Sequence, residues 1–301
     1  MSTAVPIPEA AQPGRSGLLA LALLFCLIWA SAFTVAKIGL ADAPPKLFLG
    51  VRFLLAGLLL LGLAAWREGR ALLTWRALGI AVLLGLLNNA IYLGFSHHAM
   101  ARISSGLASV IISTNPILTG FLAALLLRER LGLARLAGLG LGLFGVWWIL
   151  RHRVVMGDDP LGLAYAVAAV LSMVLGTVLF KRLGGGLGLV WSTGLQCLSA
   201  GLALLPLGLW LEGWESLHWT PRFIGSLAYQ VLAVSIGGYL LWLHLLRQYS
   251  ATAASSYHFL IPPLGLGLGW LVLGEAVDPA DLIGCLPIVL GIYLVNRPAR
   301  P

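Results

Sequence analysis

Long apolar runs separated by short polar breaks organise this chain. Charges, prolines and glycine clusters delimit ten runs, at 18–40, 47–66, 76–98, 104–127, 134–150, 161–180, 189–211, 222–246, 252–273 and 281–296. A helix needs about 20 apolar residues to cross a bilayer core. The runs match that scale, are about twice the length of a barrel strand, and lack a strand's polar alternation. Only helices and closed barrels satisfy their own backbone in lipid, so the pattern predicts an all-α polytopic membrane protein with ten transmembrane helices. Residues 1–17 are polar, carry Pro6, Pro8 and Pro13, and read as a disordered cytoplasmic tail; 297–301 form a second short tail. The start of the first run, LLALALLFCLIW followed by Ala30-Ser31-Ala32, imitates a signal peptide with its cleavage site. FTVAKIGL then carries the apolar run on to span length, so the first run is read as a retained helix.

The runs repeat. NPILTGFLAALLLRE at 115–129 and IPPLGLGLGWLVLGE at 261–275 place Pro116 and Pro262 146 positions apart, and Glu129 and Glu275 likewise. At the same offset Gly138 matches Gly284 and Gly145 matches Gly291. Farther upstream, with gaps, Lys37 answers Lys181 and Tyr92 answers Tyr239. The halves are therefore read as 18–150 and 151–296, five helices each. An odd number of crossings makes the second copy enter from the opposite side, which predicts two inverted repeats, the usual basis of alternating access about a midplane site. Duplication that only builds a stable bundle is the alternative. Pro116 and Pro262, midway along the fourth and ninth runs, each remove a backbone hydrogen bond and favour a kink; they are candidate gates or hinges, with plain curvature as the other reading. Gly138/Gly142 and Gly265/Gly269 have the spacing that lets helix backbones approach closely.

Composition agrees with this picture. Of 301 residues 59% are hydrophobic and only 10% charged, against about a quarter charged in soluble domains, and the mean hydropathy is +0.95. The net charge of +8 needs no nucleic acid, because cytoplasmic loops of membrane proteins collect Lys and Arg. With both termini inside, Arg15, Arg67, Arg70, Arg76, Arg128, Arg130, Arg135, Lys181, Arg182, Arg247, Arg297 and Arg300 are cytoplasmic. Lys46, Arg102, Arg151, Arg153 and Arg222 then lie outside with most of the acids, and Lys37 and Arg52 toward the outer ends of the first two spans. This predicts a multi-pass protein of the inner (plasma) membrane. Cys26, Cys197 and Cys285 sit in apolar runs with no CxxC and read as small buried residues. Seven tryptophans near span ends (Trp66, Trp75, Trp147, Trp148, Trp210, Trp214 and Trp219) form an interfacial belt.

Polar groups in mid-span are the best pointers to function. Asn88 and Tyr92 share a face of the third run; Ser235, Tyr239 and Trp242 share one on the eighth. Ser255, His258 and Pro262 line a stripe of the ninth, and Ser109, Ser113 and Pro116 its counterpart on the fourth. Trp29, Met173 beside Ser172, and Gln196 complete a candidate solute-binding set. Singly, each hydroxyl reads as interhelical glue; clustered on duplicated helices they predict a shared central cavity. No Asp or Glu lies mid-span, so the usual proton carrier is missing, and uniport and coupling through His258 both remain open. Aromatic, hydroxyl and amide groups with little positive charge suit a small neutral or zwitterionic solute. No pattern points to a cofactor or a metal; the expected partners are that solute and membrane lipids.

Together, Trp29-Ala30-Ser31-Ala32-Phe33, Lys37, Pro44-Pro45, Arg52-Phe53 and Ala56, followed by the two Pro-to-Glu repeats, resemble the EamA-type members of the drug/metabolite transporter superfamily over about residues 18–296. Ala30 stands where many members have Gly, and Ile261 where an acidic residue often precedes the proline. The resemblance implies inverted five-helix repeats and metabolite export, often of amino acids; the aromatic-amino-acid exporter branch is similar in its aromatic-lined cavity. Purines or drugs are the alternative solutes. A lipid scramblase or receptor fits less well, as does an intramembrane enzyme. The stretch ISSG at 103–106 departs from a GxSG motif at Ile103, and there is no HExxH.

Overall fold

The structure, a computed structural model, describes residues 15–69, 73–100, 102, 111–112, 114–129, 131–150, 159–273 and 279–296. Its elements are α1 (Arg15–Leu40), α2 (Pro45–Arg67), α3 (Trp75–Ala99), α4 (Asn115–Leu127), α5 (Leu133–Leu150), α6 (Pro160–Leu183), α7 (Leu189–Leu211), α8 (Pro221–Gln248), α9 (Ala251–Ser256), α10 (Ile261–Leu273) and α11 (Pro279–Asn296). There is no strand among the described residues. Six helices (α1, α2, α3, α6, α7 and α8) are long and apolar enough to cross a membrane, and α4, α5 and α11 include shorter apolar stretches. Leu23, Leu27, Leu58, Leu59, Phe121, Leu125, Leu202 and Leu286 are exposed on the outside. Polar groups such as Asn89, Gln196, Gln230 and Ser235 are fully buried. A polytopic membrane protein is built in this sense, with lipid as its outer solvent. Trp66, Trp75 and Trp210, at helix ends, are the most exposed of the tryptophans.

Two helix pairs pack most closely, α2 with α7 and α5 with α11. Both run antiparallel and both are built on glycine. A Cβ at Gly50 would stand 2.7 Å from the Leu205 backbone, at Gly57 2.6 Å from Leu198, at Gly194 3.0 Å from Leu61, and at Gly201 2.5 Å from Leu54. On the second pair, a Cβ at Gly138 or Gly291 would meet the other's carbonyl oxygen at 2.6 Å, and one at Gly145 would meet that of Gly284 at 2.6 Å. The four glycines related by the 146-residue offset are thus each other's packing partners. Close backbone approach is what small residues contribute in a lipid-solvated bundle. Gly265 behaves differently: nothing lies within 4 Å of where its Cβ would be, so its GxxxG spacing mediates no packing at that position.

Glutamates tie the helix ends together. Glu212, just past α7, accepts the first amides of α2, from Lys46 at 3.1 Å and Leu47 at 2.9 Å. Glu68, just past α2, accepts the first amides of α7, from Val190 at 3.2 Å and Trp191 at 3.4 Å. A carboxylate at a helix N-terminus satisfies orphan N–H groups and complements the dipole. Glu129, the last residue of the first Pro-to-Glu repeat, does the same for α9. It accepts from Ala251 N at 2.7 Å, Thr252 N at 3.3 Å and Thr252 Oγ1 at 2.7 Å. Glu275 lies outside the described residues.

The polar contacts sort into two ends. One holds Asp42, Lys46, His98, Arg102, Asp159, Glu212 and Arg222, the other Glu68, Glu129, Lys181 and Arg247. At the first end Asp42 takes a two-pronged hydrogen bond from Arg222 (2.7 and 2.8 Å) and another from Thr220 at 2.7 Å. Arg222 foremost, and Thr220 after it, hold the Asp42 carboxyl down at about 2. The Arg102 hydrogen bond likewise lowers Asp159.

α3 and α8 are built alike. Thr74 and Thr220 cap them, each accepting from the amide three residues on. Each helix then widens into a π-helical stretch, Leu86–Ile91 and Gln230–Gly238, that ends immediately before Tyr92 and Tyr239. The prolines fall differently from a simple mid-helix kink. Thr114 interrupts the fourth apolar run, so Pro116 occupies the first turn of α4. Tyr257–Leu260 wind as a 3₁₀ turn, so Pro262 occupies the first turn of α10. At Pro116 the missing N–H falls among the amides that a helix start leaves unpaired, whereas Pro262 follows a 3₁₀ turn whose helical backbone runs on through Ile261 into α10.

Candidate functional site

Five rings meet in the interior. Phe25 and Trp29 are one turn apart on α1, Tyr239 and Trp242 share a face of α8, and His258 projects from the 3₁₀ turn between α9 and α10. Trp242 and His258 have ring centroids 4.7 Å apart, edge to face; Phe25 stacks on Trp242 at 5.3 Å and meets Trp29 at 5.2 Å; Trp29 meets Tyr239 at 5.5 Å. All five are buried, and Tyr92 is buried in the same apolar core. Such offset and edge-on contacts are favourable beyond the area they bury.

Tyr239 joins this cluster to a polar one. Its hydroxyl donates to the backbone carbonyl of Asn88 at 2.9 Å, within the π-helical part of α3, where the register leaves carbonyls available. Ser172 donates to the neighbouring Leu87 carbonyl at 2.8 Å, and the Asn88 side chain fills the space over Gly176 on α6. Asn89 is buried with its oxygen unpaired, and its amide points at Cys197 Sγ at 4.0 Å. Arg52 reaches in from α2 and donates from Nε to Ser235 Oγ at 2.8 Å. Only 5% of Arg52 is exposed. The sequence places Arg52 toward the outer end of its span; the structure carries its guanidinium to the buried wall of α8, because the stem is long enough to reach Ser235.

The structure therefore brings Trp29, Asn88, Tyr92, Tyr239, Trp242 and His258 together, with Met173 in the same apolar core beside Ser172. Ser255 is buried next to His258, its hydroxyl unpaired. Gln196 stands apart, bonded to Ser192 on its own helix at 3.0 Å. Ser109 and Ser113 lie outside the described residues. Phe25 and Arg52 were not among the sequence candidates. Phe25 could have been found from its four-residue spacing to Trp29, and Arg52 from being the one charge between Lys46 and Arg67 in α2, with five apolar or small residues before it and fourteen after it. The rings pack on one another rather than around an open space. A shallow cleft lined by Ala77, Ile80, Leu183, Leu187 and Ser192 lies elsewhere.

His258 Nδ1 is 3.2 Å from the Ser255 carbonyl oxygen, not its hydroxyl, and Nε2 is buried without a partner, so nucleophile and base are not paired there. Among the described residues no group of His, Cys, Asp and Glu could hold a metal ion. Cys26 and Cys197 are free and buried.

Comparison with known proteins places this geometry in a family. The uncharacterized transporter YvbV of Bacillus subtilis is 32% identical over 284 residues, covering 93% of this chain and 92% of its own. The uncharacterized inner membrane transporter YedA of Escherichia coli is 32% identical over 283 residues, covering 91% of this chain and 90% of its own. A crystal structure superposes with a TM-score of 0.78 at 21% identity, over 94% of this chain and 97% of that one, which establishes likeness of fold. The model of the EamA-like transporter family matches twice, over residues 16–151 and 160–297. With both halves matched, this chain is a membrane transporter and belongs to the EamA-like transporter family.

Proposed function

We propose that the protein exports small neutral or zwitterionic metabolites, amino acids foremost and aromatic ones among them, by alternating access between its two halves. The observation that carries this reading is the composition of the buried cluster. Phe25, Trp29 and Tyr92 come from the first family match, and Tyr239, Trp242 and His258 from the second. A solute held there touches both halves, so a relative movement of the halves changes which side it can leave by.

The proposed architecture is ten transmembrane helices in two inverted five-helix repeats, 18–150 and 151–296, with both tails cytoplasmic. Self-matching contacts support it: Gly138 with Gly291 corresponds to Gly284 with Gly145, and Glu68 on α7 corresponds to Glu212 on α2. Such reciprocity is what a two-fold axis in the membrane plane produces. Pro116 and Pro262, at the restarts of two interrupted runs, are the proposed hinges. Trp29, Asn88, Tyr92, Met173, Tyr239, Trp242, Ser255 and His258 are the proposed solute contacts, with Gln196, Ser109 and Ser113 as outlying members.

The test is uptake by liposomes carrying the purified protein, with labelled aromatic, aliphatic and sulfur amino acids beside a purine. Saturable uptake of amino acids, aromatic ones fastest, is expected. Uptake of the purine alone, or of none, would overturn the solute assignment.

A further inference from the structure

Arg52 is a cation in an unusual position. Among the described residues, Lys46, Arg102 and Arg222 meet carboxylates at the helix ends. Lys181 and Arg247 meet backbone carbonyls. Arg52 instead lies inside the bundle and meets a neutral hydroxyl, Ser235 Oγ. The groups that interact with it electrostatically, Tyr239 and Cys197, are neutral as well, and His97 of α3 is a further titratable neighbour. Its guanidinium lies 5.0 Å from the ring centre of Phe53, which offsets part of the cost of burial but supplies no countercharge.

A guanidinium has five N–H donors in a fixed fork matched to a carboxylate. One is used here. Holding such a charge in a bundle interior is costly, and intramembrane charges of this kind mark solute and ion pathways. The anion that would balance it is missing from the chain's own described side chains. Tyr239, beside Arg52, is at the same time a wall of the aromatic cluster. An acid-binding point and an apolar cluster of rings therefore adjoin.

We infer that Arg52 receives the carboxylate of the transported solute, whose apolar or aromatic body then lies against Trp29, Tyr239 and Trp242. The solute class is a monocarboxylate with a hydrophobic side chain, as in a zwitterionic amino acid, rather than an uncharged amine or amide. This rests on the transport reading above and sharpens it. Ser235 is the positioning residue, holding Nε so that the terminal N–H pair faces the solute.

The test is equilibrium binding to the full chain in lipid nanodiscs, comparing phenylalanine, leucine and methionine with their carboxamides. The wild type is expected to bind each acid at least about tenfold more tightly than its amide, as a charge-assisted, two-point contact requires. Arg52→Gln should abolish that preference by weakening the acids alone, and Arg52→Lys should keep part of it. Should Arg52→Gln fail to fold, the wild-type ratio and Arg52→Lys decide the matter. Equal affinity of the wild type for acids and amides, or an undiminished preference in Arg52→Gln, overturns the Arg52 assignment and leaves the transport reading standing. Binding of neither acids nor amides removes the amino-acid reading and this inference together.

Discussion

Glu68 and Glu212, 144 positions apart, each stand just past one helix of the α2–α7 pair and accept the first amides of the other. A 23-residue helix is about 35 Å long, so the two caps lie at opposite ends and act independently. Glu212→Gln and Glu68→Gln should each cost about 1 kcal/mol of stability, the scale of a lost cap. The effects should add in the double variant, since sites this far apart do not couple. Thermal unfolding of the detergent-solubilised protein measures this; the larger loss is expected for Glu212, whose bonds are shorter and whose carboxylate also meets Lys46.

Glycine substitutions separate packed from unpacked positions. Gly145→Ala puts a methyl group 2.6 Å from the Gly284 carbonyl oxygen and should destabilise by about 1–3 kcal/mol through overpacking. Gly265→Ala, in open space, should be neutral or stabilise by about 0.5–1 kcal/mol, because alanine is the better helix former. Unfolding midpoints of the two variants should therefore move in opposite directions or differ by several degrees.

Tyr239 has two roles that two substitutions divide. Tyr239→Phe removes only the hydrogen bond to the Asn88 carbonyl and should cost about 1 kcal/mol in stability with transport retained. Tyr239→Ala also removes the ring between Trp29 and Arg52 and should reduce transport severely, as should Tyr92→Ala. Unchanged transport in both alanine variants would contradict the shared site.

Coupling can be read from His258. With no carboxylate within the described helix interiors, collapsing the proton gradient should leave initial rates unchanged. If rates do collapse, and accumulation is lost in His258→Ala, the histidine is the coupling group.

The Asp42–Arg222 clasp should be silent near neutral pH. Because the carboxyl is held at about 2 in the folded protein, below its ordinary value, the stability it contributes is full above about pH 4 and disappears as pH falls toward the folded value. Asp42→Asn should therefore lower the melting temperature equally at about pH 5 and about pH 8, and the difference should close in strong acid.

Much of the fold was legible because a bilayer enforces long apolar runs: the expected 189–211 coincides with α7, and 47–66 and 161–180 lie within two or three residues of α2 and α6. The contact of α5 with α11 was legible in Gly138, Gly145, Gly284 and Gly291, since only small residues allow two helix backbones to touch. Three features were hidden. The π-helical stretches before Tyr92 and Tyr239 have no apolar period of their own. The prolines carry the same letters whether they kink a helix or start one. Arg52 looked peripheral because its distance from the span end says nothing about which way a long side chain leans; the partner that draws it inward, Ser235, is 183 residues away.

The most direct test places a single cysteine at Ser255, buried beside His258, with Cys26, Cys197 and Cys285 replaced by alanine. Labelling with a membrane-impermeant thiol reagent is then compared in right-side-out and inside-out vesicles. Alternating access predicts labelling from both sides, slowed by the transported solute. Labelling from one side only, whatever the solute, would contradict it.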